Sequence, residues 1–576
     1  MENLANRVAF HPLLLSTAAP FCEELETLLA KSHPAFSVSV NIVPYASSTL
    51  KPELSCPVLQ LWLDDAETLC GPLYLPGNSV CPECMRHWLD MNFCHHPGPQ
   101  VTPGAEVAHL LAEKVAEWST ALLAGDSLEA LQAGAISIAY SDRKTAWHPL
   151  FPRRNCPRCS HLVEADVPLR IHCSRWTGIV NSMELTSVPS AGAYRATATW
   201  TPPLPIGDAR PGLRRQNSYG RGKTRQEAEI GCIGEALERH SLIYRGDEPL
   251  IRAAFSDVDA IHPNDIQLFS ESQYRHRQEW NALADEMFYV GDPFQPDTPV
   301  DWLEAKSLAA GGESKLVAAA CCLMWYQFHA GEPEFARADT IGCGSGRTFD
   351  AAFAHALLEW IERDAMAIWW DNRLQRPGLR LESFESRELE EVARGLRAIG
   401  RDLFLLDCST DIGIPAYISV APRFDGSEPL IAAAAHLSAR IAAYKAASEV
   451  GQVWHEANRS RTLPSCLETW LLRQTTATQQ YLLPHGFIDA PHESAPPAEN
   501  FCAYIVHRLA AAGLQAYSVD HSRPDVLSRT VRAIVPGLRH IWNRRAPGRL
   551  YDVPVKLGWL NRPNVEAELN PIRCMI

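Results

Sequence analysis

The sequence predicts an α+β (α/β-like) chain with internally duplicated halves, preceded by a smaller N-terminal zinc-tetrathiolate α/β domain. Three observations predict it. One pattern occurs twice: residues 219–239 read YGRGKTRQEAEIGCIGEALER and residues 343–363 read CGSGRTFDAAFAHALLEWIER. Strand-like apolar runs, such as Leu403–Asp407 and Ala416–Ala421, alternate with helical stretches, as expected of helices covering sheet faces. Two Cys-x-x-Cys knuckles, CPEC and CPRC, stand before residue 165.

The N-terminal domain is placed at residues 1–165. Cys81 and Cys84 form one knuckle, Cys156 and Cys159 the other. Two such knuckles match a tetrahedral thiolate zinc site, and a redox pair is the rival for either one. Four thiolates leave no open coordination position, so the zinc is structural. Between the knuckles, Pro103 after Thr102 opens a helix running to about Leu123, followed by a strand over Ala135–Tyr140.

In residues 166–576 the repeat carries the chemistry. Each copy has Gly-x-Gly-(Lys/Arg)-Thr and ends in Glu-x-x-Glu-Arg, and the same spacing separates Gly222 from Glu235 and Gly346 from Glu359. A glycine turn opening a helix exposes backbone N–H groups that favour phosphate, and Lys223 and Arg347 add charge just after each turn. Lys223 fits a phosphate contact and equally a solvated turn residue. On a helix, i and i+3 share a face, so Glu235 neighbours Glu238 and Glu359 neighbours Glu362. Paired carboxylates suit magnesium held between acid and phosphate oxygens. Arg239 and Arg363 are placed to meet a carboxylate or a phosphate. The small and apolar flanks predict largely buried helices, where a carboxylate needs a partner or a metal. His355 stands at i−4 from Glu359, but copy one has Gly231 there, which favours a packed or hydrogen-bonded histidine over a metal ligand.

A third helix covers 438–452, with Lys445, Glu449 and Gln452 on one face. The proline-rich stretches near 201–213 and 484–498 read as loops. With 576 residues and 46% hydrophobic content the chain has material for two to four folded cores. A net charge of −14 argues against a nucleic-acid partner, whose phosphates need basic patches. No apolar run reaches membrane-span length, and FHPLLLSTAAPF is too short and proline-broken for a secretory signal. Zinc-type knuckles without an export signal point to the cytoplasm.

These stretches resemble the YcaO family, and more narrowly its azoline-forming cyclodehydratases of ribosomally made peptides. GEALERHSLIYRGDEP, IGCGSGRTFDAAFAHALLEWIERDAMAIWW and PGLRHIWNRRAPGRLYDVPVKLGW carry the resemblance, in order, over roughly residues 166 to 571. It implies ATP held over magnesium by glutamates on three helices. Ser218, Glu235 and Glu238 match the first motif, Glu359, Glu362 and Arg363 the second, and Glu449 with Gln452 the third. Departures are Lys445 where the family often has arginine, Arg347 for asparagine or glutamine, and Ala351 for glutamate. The tail ELNPIRCMI keeps only Pro571 of a proline-alternating terminus. The run GPLYLPGNSVCPECMRHWL resembles the zinc-bearing part of a ubiquitin-activating-enzyme-like domain, shortened here to a fragment and without a Gly-x-Gly-x-x-Gly loop.

The resemblance implies ATP-dependent cyclodehydration of Cys, Ser or Thr in a precursor peptide, through phosphorylation of the backbone amide oxygen. Thioamide formation, amidine formation and a non-catalytic peptide-presenting scaffold are the alternatives. A separate leader-binding protein, a flavin dehydrogenase acting on the rings, and a homodimer are the expected partners.

Overall fold

The computed structural model describes residues 8–10, 19–32, 39–44, 58–63, 66–75, 77, 79–93, 105–123, 129–163, 167–188, 193–203, 215–282, 288–308, 312–459, 465–492, 496 and 500–574. The chain divides into two compact units. One comprises Met1–Met183, Ala198–Ser218 and Arg523–Leu527; the other Glu184–Thr197, Tyr219–Ser522 and Ser528–Ile576.

The first unit is built on a six-stranded sheet in sequential order, β1 (Val8–Phe10), β2 (Ser39–Pro44), β3 (Val58–Leu63), β4 (Glu67–Tyr74), β5 (Gly134–Ala139) and β6 (Thr145–Pro149). β1 to β3 run parallel and the remaining pairs antiparallel. β3 and β4 are buried throughout. Two helices, α1 (Ala19–Ser32) and α3 (Ala105–Leu123), pack on each other and close a core around Leu25, Leu61, Leu111 and Val115. α2 (Pro82–Phe93) starts directly after Cys81. The expected strand near 135–140 is β5, and the expected helix reaches Leu123; its predicted start at Pro103 lies outside the described residues, as do 204–213 and, within the 484–498 stretch, residues 493–495, 497 and 498. The segment 523–527 is held by side chains of this unit: Arg154 donates to the Val526 and Leu527 carbonyls at 2.6 Å each, and His87 Nε2 lies 2.8 Å from the Asp525 carboxylate.

A three-stranded sheet follows, β7 (Val180–Val188), β8 (Ala193–Trp200) and β9 (Gln216–Gly222), in that order. In the second unit one sheet runs β10 (Ile251–Ala253), β11 (Val300–Ser307), β19 (Tyr517–Asp520), β20 (Arg529–Ile534) and β13 (Cys343–Gly346), with β12 (Lys315–Ala318) also on β11. The other runs β17 (Leu430–Ala435), β16 (Ala416–Ala421), β15 (Phe404–Asp407), β14 (Gly378–Leu379) and β18 (Phe487–Ile488). The alternating apolar runs read from the sequence are β15 and β16.

Three helices cover these sheets. α4 (Arg225–Leu242) packs on β13 and β20; α5 (Phe349–Asn372) packs on β13 and β20 and also on β16 and β17; α6 (Ala439–Arg459) packs on β16 and β17. α5 is the central element. Its Phe353, Leu357, Ile361, Ile368 and Trp369 are at most 1% exposed, so its apolar sides are consumed by both sheets. The polar residues left on a helix buried this way are the ones that need a chemical explanation. None of the described helices is long and apolar enough to cross a membrane.

Candidate active site

The two copies of the repeat fold alike. In each, a strand ends in the Gly-x-Gly stretch, a threonine caps the next helix, and two glutamates lie three turns further on. Thr224 Oγ1 accepts from Glu227 N at 3.1 Å and Thr348 Oγ1 accepts from Ala351 N at 3.2 Å. The Glu227 carboxylate accepts from Thr224 N at 3.4 Å, completing a capping box, and from Lys223 N at 2.7 Å. These caps occupy donors that the sequence had offered to phosphate.

The glycines have a packing role beside the one expected of them. A Cβ on Gly220 would stand 2.0 Å from Ala228 O, and one on Gly344 would stand 2.1 Å from Ala352 O. Gly222 and Gly346 likewise face the backbone of Ala228 and Ala352 at 2.7 and 2.9 Å. The glycines let each strand press against the helix that follows it, so a close approach to helix backbone is one use the structure gives them. The repeat is therefore a strand–helix packing unit whose carboxylates are delivered to one place.

That place lies between α4, α5 and α6. Glu235 accepts from Tyr219 N at 2.5 Å and pairs with Arg239. Glu359 accepts from Gly342 N at 3.0 Å and lies 3.5 Å from Arg363 Nη2. Glu362 lies 3.2 Å from Arg363 Nη1. Glu449, on α6, is held by Arg221 Nη2 at 2.7 Å. The side chains of Glu235, Glu359, Glu362 and Glu449 are 25%, 26%, 17% and 27% exposed. This leaves each reachable by a ligand but poorly hydrated.

The electrostatics follow from that. Burial pushes the Glu238 carboxyl up to about 8, and the Glu359 and Glu235 charges add to the effect. Burial pushes Glu362 up to about 7 against the pull of Arg363, with Glu449 and Glu359 reinforcing the rise. Glu359 is also raised by burial, again against Arg363. Burial acts upward on Glu449 too, but Arg221, Arg363 and Lys445 together outweigh it and the carboxyl falls below its ordinary value. The arginines thus neutralise one side of the cluster and leave Glu238 and Glu362 under-compensated. A divalent cation on those oxygens would remove the repulsion, and hard carboxylate donors suit magnesium.

A nucleotide also fits the residues present. Arg363 Nε and Gln452 Nε2 are buried with no hydrogen-bond partner among the described residues. Buried donors ordinarily have one, and phosphate oxygens are acceptors of the right kind.

The remaining expected residues divide. Lys445 is exposed, and its charge interacts with those of Glu362 and Glu449. Lys223 Nζ pairs with Glu388 at 2.8 Å and sits 4.6 Å over the Tyr444 ring, so its charge is engaged away from the carboxylates. Arg347 is exposed and Ser218 is buried, one residue before Tyr219. His355 Nδ1 lies 3.3 Å from the Ser345 carbonyl, as a packed histidine.

Sequence reasoning missed Arg221, Arg532 and Asp364. Arg221 is the middle residue of copy one's Gly-x-Gly, and its counterpart Ser345 carries no charge, so the comparison of copies hid it. Arg532, buried on β20 opposite Cys343, donates to Ile341 O at 3.2 Å and to Asp339 O, fixing the strand that presents Gly342 N–H to Glu359. Asp364, next to Arg363 and fully buried, accepts from Arg539 N at 2.9 Å and from Arg549 at 3.1 and 2.7 Å; Arg549 also reaches Asp411. The late PGLRHIWNRRAPGRLYDVP segment thereby locks α5. The tail lies along the same helix: Trp370 Nε1 donates to Ile572 O at 2.8 Å and Asn570 N to Asp371 O at 2.7 Å.

The four cysteines of the first unit converge. Their sulfurs all lie within 4.8 Å of one another and all four residues are buried. Cys81–Cys156 and Cys84–Cys159 are 3.6 and 3.5 Å apart, and Cys81–Cys159 is 3.6 Å. A tetrahedron with metal–sulfur bonds of about 2.3 Å has edges of about 3.8 Å, so the donor set fits zinc. Arg153 N donates to Cys84 Sγ at 3.5 Å, supporting one thiolate from outside the shell.

Comparison with known proteins agrees with this arrangement. The family model described as YcaO cyclodehydratase, ATP- and Mg2+-binding, matches residues 219–539. A solved heterocyclase in complex with substrate and cofactor is 27% identical, with a TM-score of 0.83 over 98% of this chain and 85% of that one. The heterocyclase TruD is 25% identical, with a TM-score of 0.76 over 99% of this chain and 84% of its own. An uncharacterized protein of Methanothermobacter thermautotrophicus is 23% identical over 333 residues, covering 55% of this chain and 80% of that protein. The match spans both copies of the repeat and all three carboxylate-bearing helices, and the chain belongs to the YcaO cyclodehydratase family.

Proposed function

We propose that the chain closes azoline rings on Cys, Ser or Thr of a ribosomally made precursor peptide, driven by ATP bound over Mg2+ at Glu235, Glu238, Glu359, Glu362 and Glu449. The observation that carries this is the clustering of acids from three helices: burial raises the Glu238 and Glu362 carboxyls to about 8 and about 7, and the charges of Glu235, Glu359 and Glu449 beside them add to the rise. Structural likeness to a heterocyclase in complex with substrate and cofactor supports the peptide and the nucleotide as ligands.

The substrate thiol or hydroxyl loses its proton to solvent and attacks the preceding carbonyl carbon, and the resulting oxyanion displaces ADP from the γ-phosphoryl group. Phosphate then leaves with that oxygen, the amide nitrogen gives up its proton, and the C=N bond of the azoline remains. Magnesium supplies charge neutralisation at the phosphates when bound. The chain's own residues orient. Arg363, anchored by Glu359 and Glu362, and Gln452 offer donors to phosphate oxygens; Arg221 fixes Glu449. Gly342 and Tyr219 N–H groups donate to Glu359 and Glu235 and orient those two carboxylates.

The four-cysteine cluster is proposed as a structural zinc site within an N-terminal domain, residues 1–165, with residues 166–576 as the ATP-dependent domain. Leader capture by a separate protein, a flavin dehydrogenase and a homodimer complete the proposal. Mass spectrometry of a co-expressed precursor tests the reaction: each ring removes one water. An unchanged precursor mass with every partner present contradicts it and favours a scaffold.

A further inference from the structure

A cavity of about 560 Å3 in the second unit lies outside the carboxylate cluster. Its lining is mixed: five aromatic side chains, Tyr289, Trp325, Tyr326, Phe328 and Trp542, stand beside charged and polar residues. The charges in its lining are already matched. Asp339 lies 2.8 Å from His540 Nε2 and 3.5 Å from Arg544 Nη2, Glu334 pairs with Arg337, and the Arg337 guanidinium sits 3.7 Å over the Tyr289 ring. A charged guest would lose its hydration and find no unmatched partner, whereas a neutral apolar one would gain dispersion and leave every ion pair intact.

Trp325 has φ +58°, a left-handed backbone that bulky residues rarely adopt. The neighbouring chain holds it there: Met324 N donates to Leu242 O and Tyr244 N to Met324 O, each at 2.9 Å. Such strain, held by surrounding hydrogen bonds and aimed at a half-open cavity, is the pattern of a binding wall.

The cavity is tied to both halves of the carboxylate cluster. Trp325 follows the residue clamped to the end of α4, the helix of Glu235 and Glu238. Asp339 precedes by three residues Gly342, whose N–H holds Glu359. Three residues span at most about 10 Å, so Asp339 in the cavity wall lies within that distance of the backbone that holds Glu359.

We infer that this cavity is a specificity pocket that receives an uncharged aromatic or large aliphatic side chain of the precursor peptide, within two residues of the side chain being cyclised. The inference rests on the cyclodehydration reading, and the test separates the two. Precursors identical except for Phe, Leu, Gly or Asp at the flanking positions are compared by ring formation. The Phe and Leu peptides are expected to show KM values about tenfold below that of the Asp peptide, with kcat moved less. Trp542→Ala and Trp325→Gly should bring that ratio to about one, and Trp542→Phe should restore it; glycine tolerates the left-handed backbone at 325. Independently of turnover, saturation-transfer NMR should detect a blocked Phe-Cys dipeptide on the wild-type chain and lose it in Trp542→Ala. Equal processing of the Asp peptide, or an unchanged ratio and dipeptide signal in both tryptophan variants, overturns the pocket. Dipeptide binding without ring closure on any precursor upholds the pocket and contradicts the reaction.

Discussion

Glu359 is the charge that most strongly raises the Glu238 carboxyl, second only to burial itself. The two residues come from opposite copies of the repeat, on α5 and α4. Their repulsion joins the two copies of the repeat in one cluster of carboxylates.

The first consequence concerns pH. With carboxyls raised to about 8 and about 7, the folded state keeps protons that the unfolded chain loses near 4.5. The unfolded state then binds fewer protons, so the metal-free protein loses stability as pH rises from about 4.5 through about 8. Melting temperatures measured across that window should fall without magnesium, and saturating Mg2+ with an ATP analogue should reduce the fall. Glu238→Gln should make the metal-free profile shallower.

Glu238→Gln and Glu362→Gln should each lower ATP turnover by at least about a hundredfold while the fold survives, since an amide keeps the shape and loses the charge. Turnover is read by phosphate release and the fold by circular dichroism. Near wild-type turnover in either variant would remove that residue from the site.

Much of this site was legible in the sequence. The acid pairs Glu235/Glu238 and Glu359/Glu362 stand out through the matched spacing of the two repeat copies, and Glu449 through the resemblance of its helix to the family's third motif. Arg221, Arg532 and Asp364 were not legible, because their partners lie 175 to 228 residues away in sequence and only the folded chain brings them close. The packing role of the glycines was hidden for a related reason. Sequence shows that a glycine permits close approach, but only the fold shows what approaches.

That packing role is testable. Gly220→Ala and Gly344→Ala should destabilise the protein by about 1–3 kcal/mol or more through overpacking, because each added methyl meets helix backbone near 2 Å. Denaturant unfolding reads the loss. A phosphate-binding turn predicts the opposite pattern, weakened ATP affinity with stability unchanged.

Arg221→Ala should raise the KM for ATP at least about tenfold by releasing Glu449, and Arg221→Lys should rescue only part of it, since a lysine cannot reproduce the planar fork. Steady-state kinetics over an ATP series measure both.

Elemental analysis of the purified chain should find one zinc per molecule. Cys84→Ser or Cys156→Ser should lose it and melt at lower temperature, because three thiolates do not complete a structural shell. A metal-free preparation of unchanged melting temperature would assign the cysteines to packing.

The most direct test of the central claim is a crystal structure with a non-hydrolysable ATP analogue and Mn2+ in place of Mg2+. The cradle predicts anomalous peaks between the triphosphate and carboxylates of both copies of the repeat, Glu238 and Glu359 among them, with Arg363 on a phosphate oxygen. Nucleotide bound elsewhere, with those glutamates free of metal, would contradict it.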